Sequence, residues 1–392
     1  MSVRILHIVG DSKFGGASLG ILRLAKYWQS VGWEVEVLAT DPVFRSEAQA
    51  KGVPTVPLDV IWREIRPLKD LLGLWRLVSY LKREPYAIVH THTTKAGFVG
   101  RLAAWFAGVP VVVHTSHGFA FHESSPWWKI AGYVVLERIA SWGCQRVVAV
   151  SLFHARWGAR LGMAKADKFL TIRNGVPDQK PPSDGQVAAI RSEWSVRDGE
   201  VVLLTPGRLA AEKGLEDMVE ALTMLKRSGH AHFRWMIAGE GPLRGRLEEL
   251  VAAAGIEDRV VFLGFRDDIS LLLAAADLVV FPSWREGLSI ALLEAMAAAR
   301  PIITTSIGSN REVTREGQAA VLVKPGDVKG LSSAIFELSV DEGRRAALAA
   351  RARAEYTQEF SNDRMLAEYH QLYKNLLEER RSEEPFSTLL SS

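Results

Sequence analysis

Short β-branched apolar runs alternate with longer amphipathic segments along the whole 392-residue chain. The first half carries RILHIV, EVEVLAT, AIVHTH, VVVHTSH, RVVAVS and FLTIRNG; the second carries VVLLTPG, FRWMIAG, VVFLG, LVVFPS, PIITTS and AAVLVKP. Near-continuous apolar runs bounded by helical segments read as parallel strands covered on both faces. The pattern predicts an α/β protein with two doubly wound, Rossmann-like domains. NGVPDQKPPSDG, residues 174–185, reads as the linker, because Pro177, Pro181 and Pro182 block continuation of helix or sheet. The expected domains are therefore 1–178 and 179–360, followed by a helix-like stretch at 361–380 and a flexible tail at 381–392. Ligands of such sheets sit beyond the carboxyl ends of the strands, and in a two-domain arrangement both sets of ends can face one cleft.

Composition narrows the class without changing this picture. Two domains are the expectation for this length, and 48% hydrophobic with 24% charged residues is ordinary for a globular protein. The single cysteine, Cys144, excludes an intramolecular disulfide and a cysteine-rich zinc site, and fits a reducing compartment. VRILHIVG already reads as a strand, so no signal peptide is expected; charges at Arg101, Glu137 and Asp277 interrupt the longest apolar stretches. The net charge of +3 hides an asymmetry: residues 1–180 hold 23 Lys and Arg against 13 Asp and Glu, and the remainder 25 against 32. A basic first half points to an anionic partner, a membrane surface or a phosphorylated acceptor; scattered solvated charge explains it equally well.

Candidate chemistry sits at strand ends. In GDSKFGGASLG, Gly15 and Gly16 let the backbone approach a ligand, and the helix opening near Ala17 offers free N–H groups to an anion. The spacing is not that of a dinucleotide fingerprint. In TPGRLAAEKG, Arg208 and Lys213 project from the loop after a strand, a fork and a point charge suited to a pyrophosphate. IAGEGPLRGRLEEL places Gly239 and Gly241 in a tight turn, with Pro242 in the first turn of a helix. WREGLSIALLEAMAAARP opens a strong helix, with Ser289 as N-cap and the amides of 288–291 directed at an anion.

Glu286 and Glu294 lie eight residues apart in that last segment, a helical rise of about 12 Å. Paired glycosidase carboxyls are roughly 5–9.5 Å apart, so two grips on one elongated ligand is favoured over a hydrolytic dyad. Metal readings fail on inventory: His90, His92, His114 and His117 lie at strand ends without a carboxylate or cysteine cluster, and no D-x-D occurs. A strand-end histidine is usually structural, although His117 before Gly118 sits where a cleft histidine would.

Taken together, FGGA at 14–17, HGF at 117–119, NGV at 174–176, GR…KG at 207–214, GEGP at 239–242 and E-x7-E at 286–294 followed by EAMA form an ordered set. In it the chain resembles the retaining glycosyltransferases of family 4, which have the two-domain GT-B fold and use nucleotide-sugar donors. The resemblance implies that the helix at 361–380 crosses back to the first domain. It implies that Arg208 and Lys213 hold the donor diphosphate with help from the amides of Leu288, Ser289 and Ile290. Glu294 would bind the ribose, Glu286 and His117 would face the transferred sugar, and Gly16 would bring its amide to phosphate and sugar. Arg266, in GFR, is expected near the base. Three positions depart from the family pattern: Ser289 and Ala299 where glycine is usual, and Pro177 after NGV. The first bears on the donor-sugar pocket. The resemblance implies no metal or cofactor, and a UDP- or GDP-sugar is the expected co-substrate.

The acceptor must be read from the first domain. IWREIRPLKDLLGLWRLVSYLKREP interleaves Arg63, Arg66, Lys69, Arg76, Lys82 and Arg83 with Trp62 and Trp75, and SPWWKIAGYVVLERIA adds Trp127, Trp128 and Lys129. Basic plus aromatic residues on an amphipathic stretch suit docking on an anionic bilayer; an internal helix is the bland reading, and Trp75 is expected in the core. The expected function is transfer of a hexosyl or N-acetylhexosaminyl group to a lipid-linked acceptor in cell-envelope glycan synthesis. Its expected place is the cytoplasm, peripherally on the inner membrane face, without nucleic acid. A soluble-acceptor glycosyltransferase, a GT-B nucleotide-sugar epimerase and a non-catalytic sugar-nucleotide binder remain as alternatives.

Overall fold

The computed structural model describes residues 2–10, 14–62, 64, 66–122, 125–178 and 180–387, with side chains to residue 382. Residues 11–13 of the first glycine-rich loop, Arg63, Gln179 of the expected linker and 388–392 of the expected tail lie outside the described residues. The chain divides into two units, Met1–Asn174 with Asp363–Ser392, and Gly175–Asn362.

In the first unit, β1 (Arg4–Gly10), β2 (Glu34–Ala39), β3 (Ile88–His92), β4 (Val111–Ser116), β5 (Arg146–Ala149) and β6 (Phe169–Thr171) form one parallel sheet in the order β2-β1-β3-β4-β5-β6. Its helices are α1 (Gly16–Ser30), α2 (Pro42–Ala50), α3 (Pro67–Arg83), α4 (Thr94–Ala107), α5 (Trp127–Trp142) and α6 (Leu152–Leu161). In the second unit, β7 (Val201–Pro206), β8 (Phe233–Ala238), β9 (Val260–Gly264), β10 (Leu278–Phe281), β11 (Ile302–Thr305) and β12 (Val321–Val323) are ordered β12-β11-β10-β7-β8-β9. Around them lie α7 (Asp184–Glu193), α8 (Leu215–Arg227), α9 (Arg244–Ala253), α10 (Ile269–Ala275), α11 (Ile290–Ala297), α12 (Gly308–Val313), α13 (Val328–Val340) and α14 (Glu342–Glu359). A final helix, α15 (Asn362–Ser387), belongs mainly to the first unit.

All twelve apolar runs form strands; β1, β3, β4, β8, β10 and β11 are buried along nearly their whole length, whereas the edge strand β6 leaves Leu170 exposed. In β1, Ile5 and Val9 pack with Leu22, Trp28 and Tyr373, while Leu6 and Ile8 pack on the opposite face with Leu77 and Val89. Each sheet reverses direction of strand addition once, between β1 and β3 in the first and between β7 and β10 in the second. Such a reversal opens a crevice at the carboxyl ends of the two strands, where doubly wound sheets bind ligands.

The second unit begins at Gly175, before the prolines. A Cβ on Gly175 would lie 2.3 Å from the Ser361 carbonyl, so only glycine permits this approach. Val176 then donates its amide to Phe360 O at 3.0 Å, the Tyr356 hydroxyl reaches Val176 O, and Arg353 grips the Asp178 carboxylate with two bonds. Helix α15 buries Met365, Leu366, Tyr369, Leu372, Tyr373 and Leu376 at helical spacing in the core of the first unit. Tyr373 stacks on Trp28, which stacks on Trp33. The helix runs on to Ser387, into the segment expected as flexible tail. Strong helix formers at 378–381 continue it, and Arg380 anchors it on the Pro110 carbonyl.

Two further expectations need correction. Helix α9 starts at Arg244, so Pro242 lies in the turn before it rather than in its first turn. Trp75, expected in the core, is 52% exposed, because Gly73, Leu77, Val78 and Leu81 form the buried face of α3.

Candidate functional site

Of the sequence-predicted residues of the second unit, Arg208, Lys213 and Glu286 lie at its topological switch point, whereas Gly239 follows β8 and Arg266 follows β9. The loop after β7 carries Arg208 and Lys213, and the loop after β10 carries Glu286 and leads into α11. Backbone contacts hold these loops in place. A Cβ on Gly239 would sit 1.9 Å from Gly207 O, and one on Gly241 would sit 2.3 Å from Leu209 O. The same strands continue pairing past their ends through Gly207 N to Ala238 O and Leu209 N to Glu240 O. Gly214, at φ +64°, lies so close to Pro282 that its Cβ would meet that carbonyl at 2.0 Å. Trp284 N then donates to Glu212 O at 2.9 Å, tying the β10 loop to the β7 loop.

These approaches predict a stability effect. Gly239 also has φ +154°, so Gly239→Ala should destabilise the second unit by about 2–4 kcal/mol through strain and overlap. Urea denaturation checks it; a midpoint equal to wild type would mean the loops are not held this closely.

Within this frame Lys213 Nζ lies 2.6 Å from Glu286 Oε1, although the two are 73 residues apart in sequence. Ser283 Oγ donates to the same carboxylate oxygen at 2.9 Å, and Ser309 Oγ, on α12, donates to the Glu286 carbonyl at 3.2 Å. Both side chains of the ion pair are largely covered, so solvent screens it only partly. Sequence reasoning missed both serines. Ser283 stands three residues before Glu286 and was findable; Ser309 comes from another helix and left no local signal.

The remaining predicted residues divide. Ser289 caps α11, its Oγ accepting from Leu292 N, and Leu288 beside it is buried. The amides of Ile290 and Ala291 occupy the first turn, beyond reach of any intrahelical carbonyl. Glu294 is half-buried in the second turn of the same helix. Arg208 pairs with Glu212, four residues on. Arg266, just past β9, holds Asp268 through two bonds, and that hydrogen bonding keeps the Asp268 carboxyl below its ordinary range.

In the first unit Gly15 is the N-cap of α1 and Gly16 its first residue. His117 follows β4, half-buried, and burial of its imidazole pushes it down to about 4, so it is neutral at physiological pH. His92 Nδ1 lies 3.2 Å from His117 Nε2, and His7 Nδ1 lies 3.0 Å from His92 Nε2. His7 was not singled out in the sequence; its signal is its place on β1 directly opposite His90 on β3.

Comparison with known proteins gives the family and the fold. Residues 15–175 match the family described as glycosyl transferase 4-like domain, and residues 186–355 match glycosyl transferases group 1. The chain is 30% identical to UDP-Gal:alpha-D-GlcNAc-diphosphoundecaprenol alpha-1,3-galactosyltransferase of Escherichia coli, over 71% of this chain and 73% of that one. It is 25% identical to N-acetyl-alpha-D-glucosaminyl L-malate synthase of Bacillus anthracis, over 81% and 82%. Among solved structures, Anabaena Alr3699/HepE in complex with UDP and glucose superposes with a TM-score of 0.83 at 23% identity, covering 95% of this chain and all of that one. The chain belongs to the group 1 glycosyltransferases of family 4 and has their GT-B fold.

Proposed function

We propose that this glycosyltransferase moves a hexosyl or N-acetylhexosaminyl group from a UDP- or GDP-sugar to a lipid-linked acceptor in cell-envelope polysaccharide synthesis. In this reading it works at an anionic membrane surface, with retention of anomeric configuration and without a metal. Lys213, Arg208 and the first-turn amides of α11 meet the charge that develops on the departing diphosphate. Lys213 has three N–H donors; Glu286 takes one and leaves two for phosphate oxygens. Glu286, fixed by Lys213 and Ser283, and His117 act on the transferred sugar, Glu294 on the ribose and Arg266 beside the base. Gly15, Gly16 and Gly239 let backbone approach the donor. The acceptor oxygen forms its bond to the anomeric carbon as the bond to phosphate breaks, and its proton passes to the departing phosphate on the same face.

The observation that carries the membrane-linked acceptor is the orientation of α5. Its charged Glu137 is buried against Arg101 of α4 at 2.7 Å, and its apolar side faces out. Trp128, Val135, Ile139 and Trp142 lie on one exposed face, with Trp127 at 79% exposure beside it. On α3 and α4, Leu68, Leu71, Leu72, Trp75, Trp105 and Phe106 are also exposed, and the Trp75 and Phe106 rings touch. Lys69, Arg76, Lys82, Arg83 and Arg138 are exposed on the same helices. Exposed apolar area of this extent marks an interaction surface, and the basic residues select an anionic bilayer. Among the described residues no helix is long and apolar enough to cross a membrane. The diphosphoundecaprenol acceptor named for the E. coli relative supports the reading. The L-malate named for the Bacillus relative supports the rival, a soluble acceptor.

A thermal-shift screen of UDP-, GDP- and ADP-sugars tests the donor. The correct donor at about 100 times its Kd raises the apparent Tm by roughly 2–4 °C. A shift with none of them overturns the nucleotide-sugar reading. A donor that is converted to another sugar without any acceptor makes the chain an epimerase.

A further inference from the structure

The first unit buries a set of imidazoles that the transfer chemistry above leaves unused. His7 on β1 and His90 on β3 are register partners, and His92 lies two residues further along β3 on the same face. All three are essentially inaccessible to solvent. From His7 a chain runs outward: His7 Nδ1 to His92 Nε2 at 3.0 Å, then His92 Nδ1 to His117 Nε2 at 3.2 Å. The rings stack along it at centroid separations of 5.3 and 5.4 Å.

A metal is the first alternative, since one nitrogen each of His7, His90 and His92 lies within 4.8 Å of the others. The hydrogen bonding argues against it. His90 is engaged at Nε2 by Thr115 and at Nδ1 by the Tyr373 hydroxyl, and both nitrogens of His92 are in the chain. Only His7 Nε2 is uncommitted. An ion would have to displace bonds at two of its three ligands.

Burial pushes His7 down to about 3 and His92 well below its ordinary value, as it does His117. Each ring therefore carries one proton at neutral pH. Three neutral imidazoles joined by two hydrogen bonds have only two consistent polarities. Either every ring donates toward His117, which then carries its proton on Nδ1, or every ring donates toward His7, which carries it on Nε2. Among the described residues both terminal nitrogens, His7 Nε2 and His117 Nδ1, are buried without a partner. The end bearing the proton therefore holds a donor that must find an acceptor or remain costly. His7 is fully enclosed, whereas the His117 ring is half-buried past the end of β4, so only there can a small side-chain movement bring the buried nitrogen to water or a ligand as acceptor.

We propose that His7 and His92 are positioning residues whose hydrogen-bond chain holds His117 as the Nδ1–H tautomer, a donor to a hydroxyl of the transferred sugar. The sugar contact rests on the reading of His117 given above; the tautomer does not. Isolated neutral histidine side chains favour Nε2–H, so the chain reverses the default.

The test is 15N–1H spectroscopy of the full chain labelled with 15N-histidine, without donor, where ring nitrogen shifts report the tautomer directly. Wild type should show His117 protonated on Nδ1. In His92→Phe the signal should move to the Nε2–H pattern and kcat should fall about tenfold or more with little change in KM. His92→Asn, whose side-chain amide can still donate to His117 Nε2, should restore the Nδ1–H form and much of kcat. An Nε2–H tautomer in wild type overturns the proposal even if no variant folds. So does an Nδ1–H signal that persists in folded His92→Phe. A tautomer that shifts in His92→Phe while kcat of both that variant and His117→Ala stays at wild type upholds the chain and overturns the sugar-facing role of His117.

Discussion

Replacing Lys213 by alanine should lower transfer about 10²–10³-fold while the protein stays folded, the range for losing one preorganised stabiliser of developing charge. The physical argument is the 2.6 Å pairing with Glu286, which fixes the ammonium at the switch point between β7 and β10 before any donor arrives. The substitution also leaves the Glu286 carboxylate, mostly shielded from solvent, with Ser283 but no cation. The measurement is kcat and KM with the donor found by thermal shift, alongside affinity for the nucleoside diphosphate and monophosphate. Loss of preference for the diphosphate should accompany loss of rate. Near-normal transfer would sink the diphosphate role, whatever the fold.

The second large effect concerns the outward face of α5. Wild type should sediment with vesicles containing anionic lipid at low salt, and release progressively as salt rises. Trp128→Glu with Ile139→Glu should weaken this by about 10²-fold or more, since each large apolar side chain moved from water contributes roughly 1.5–3 kcal/mol. Trp128 is 64% exposed and Ile139 38%, so the substitutions remove little core packing. Donor binding should be unchanged and transfer to a lipid-linked acceptor should fall. If wild type ignores anionic vesicles but dimerises in solution, the face is a subunit interface and the membrane reading fails.

Exposure of this face also marks the limit of what local pattern conveys. The sequence around Trp127 and Trp128 was suggestive, yet periodicity states only that one side of a helix is apolar. Which side faces the sheet depends on what the neighbouring helix offers. Here Arg101 on α4 takes Glu137 inward, and the tryptophans are left outside. Trp75 failed for the same reason: Gly73 has no side chain and lies against the Val60 carbonyl, so α3 packs on that edge and turns Trp75 away.

The strands, their parallel character and the two-unit division were legible because burial on both faces forces unbroken apolar runs, a property each segment carries by itself. The glycines of GEGP and the cap at Ser289 were legible too, since local backbone geometry selects those residue types. Other features required distant segments to meet. The Gly239 and Gly207 backbones approach within reach of one missing Cβ; Lys213 meets Glu286 across 73 residues; His7, His92 and His117 converge from β1, β3 and the loop after β4. The Gly175–Ser361 contact likewise moved the start of the second unit ahead of the prolines that looked like its boundary. The sequence by itself determined the layers and the kinds of residue at the strand ends, because these follow from period and conformational preference. Partners, tautomers and the direction in which an amphipathic helix turns were decided only by the tertiary structure, because each depends on a group supplied by another part of the chain.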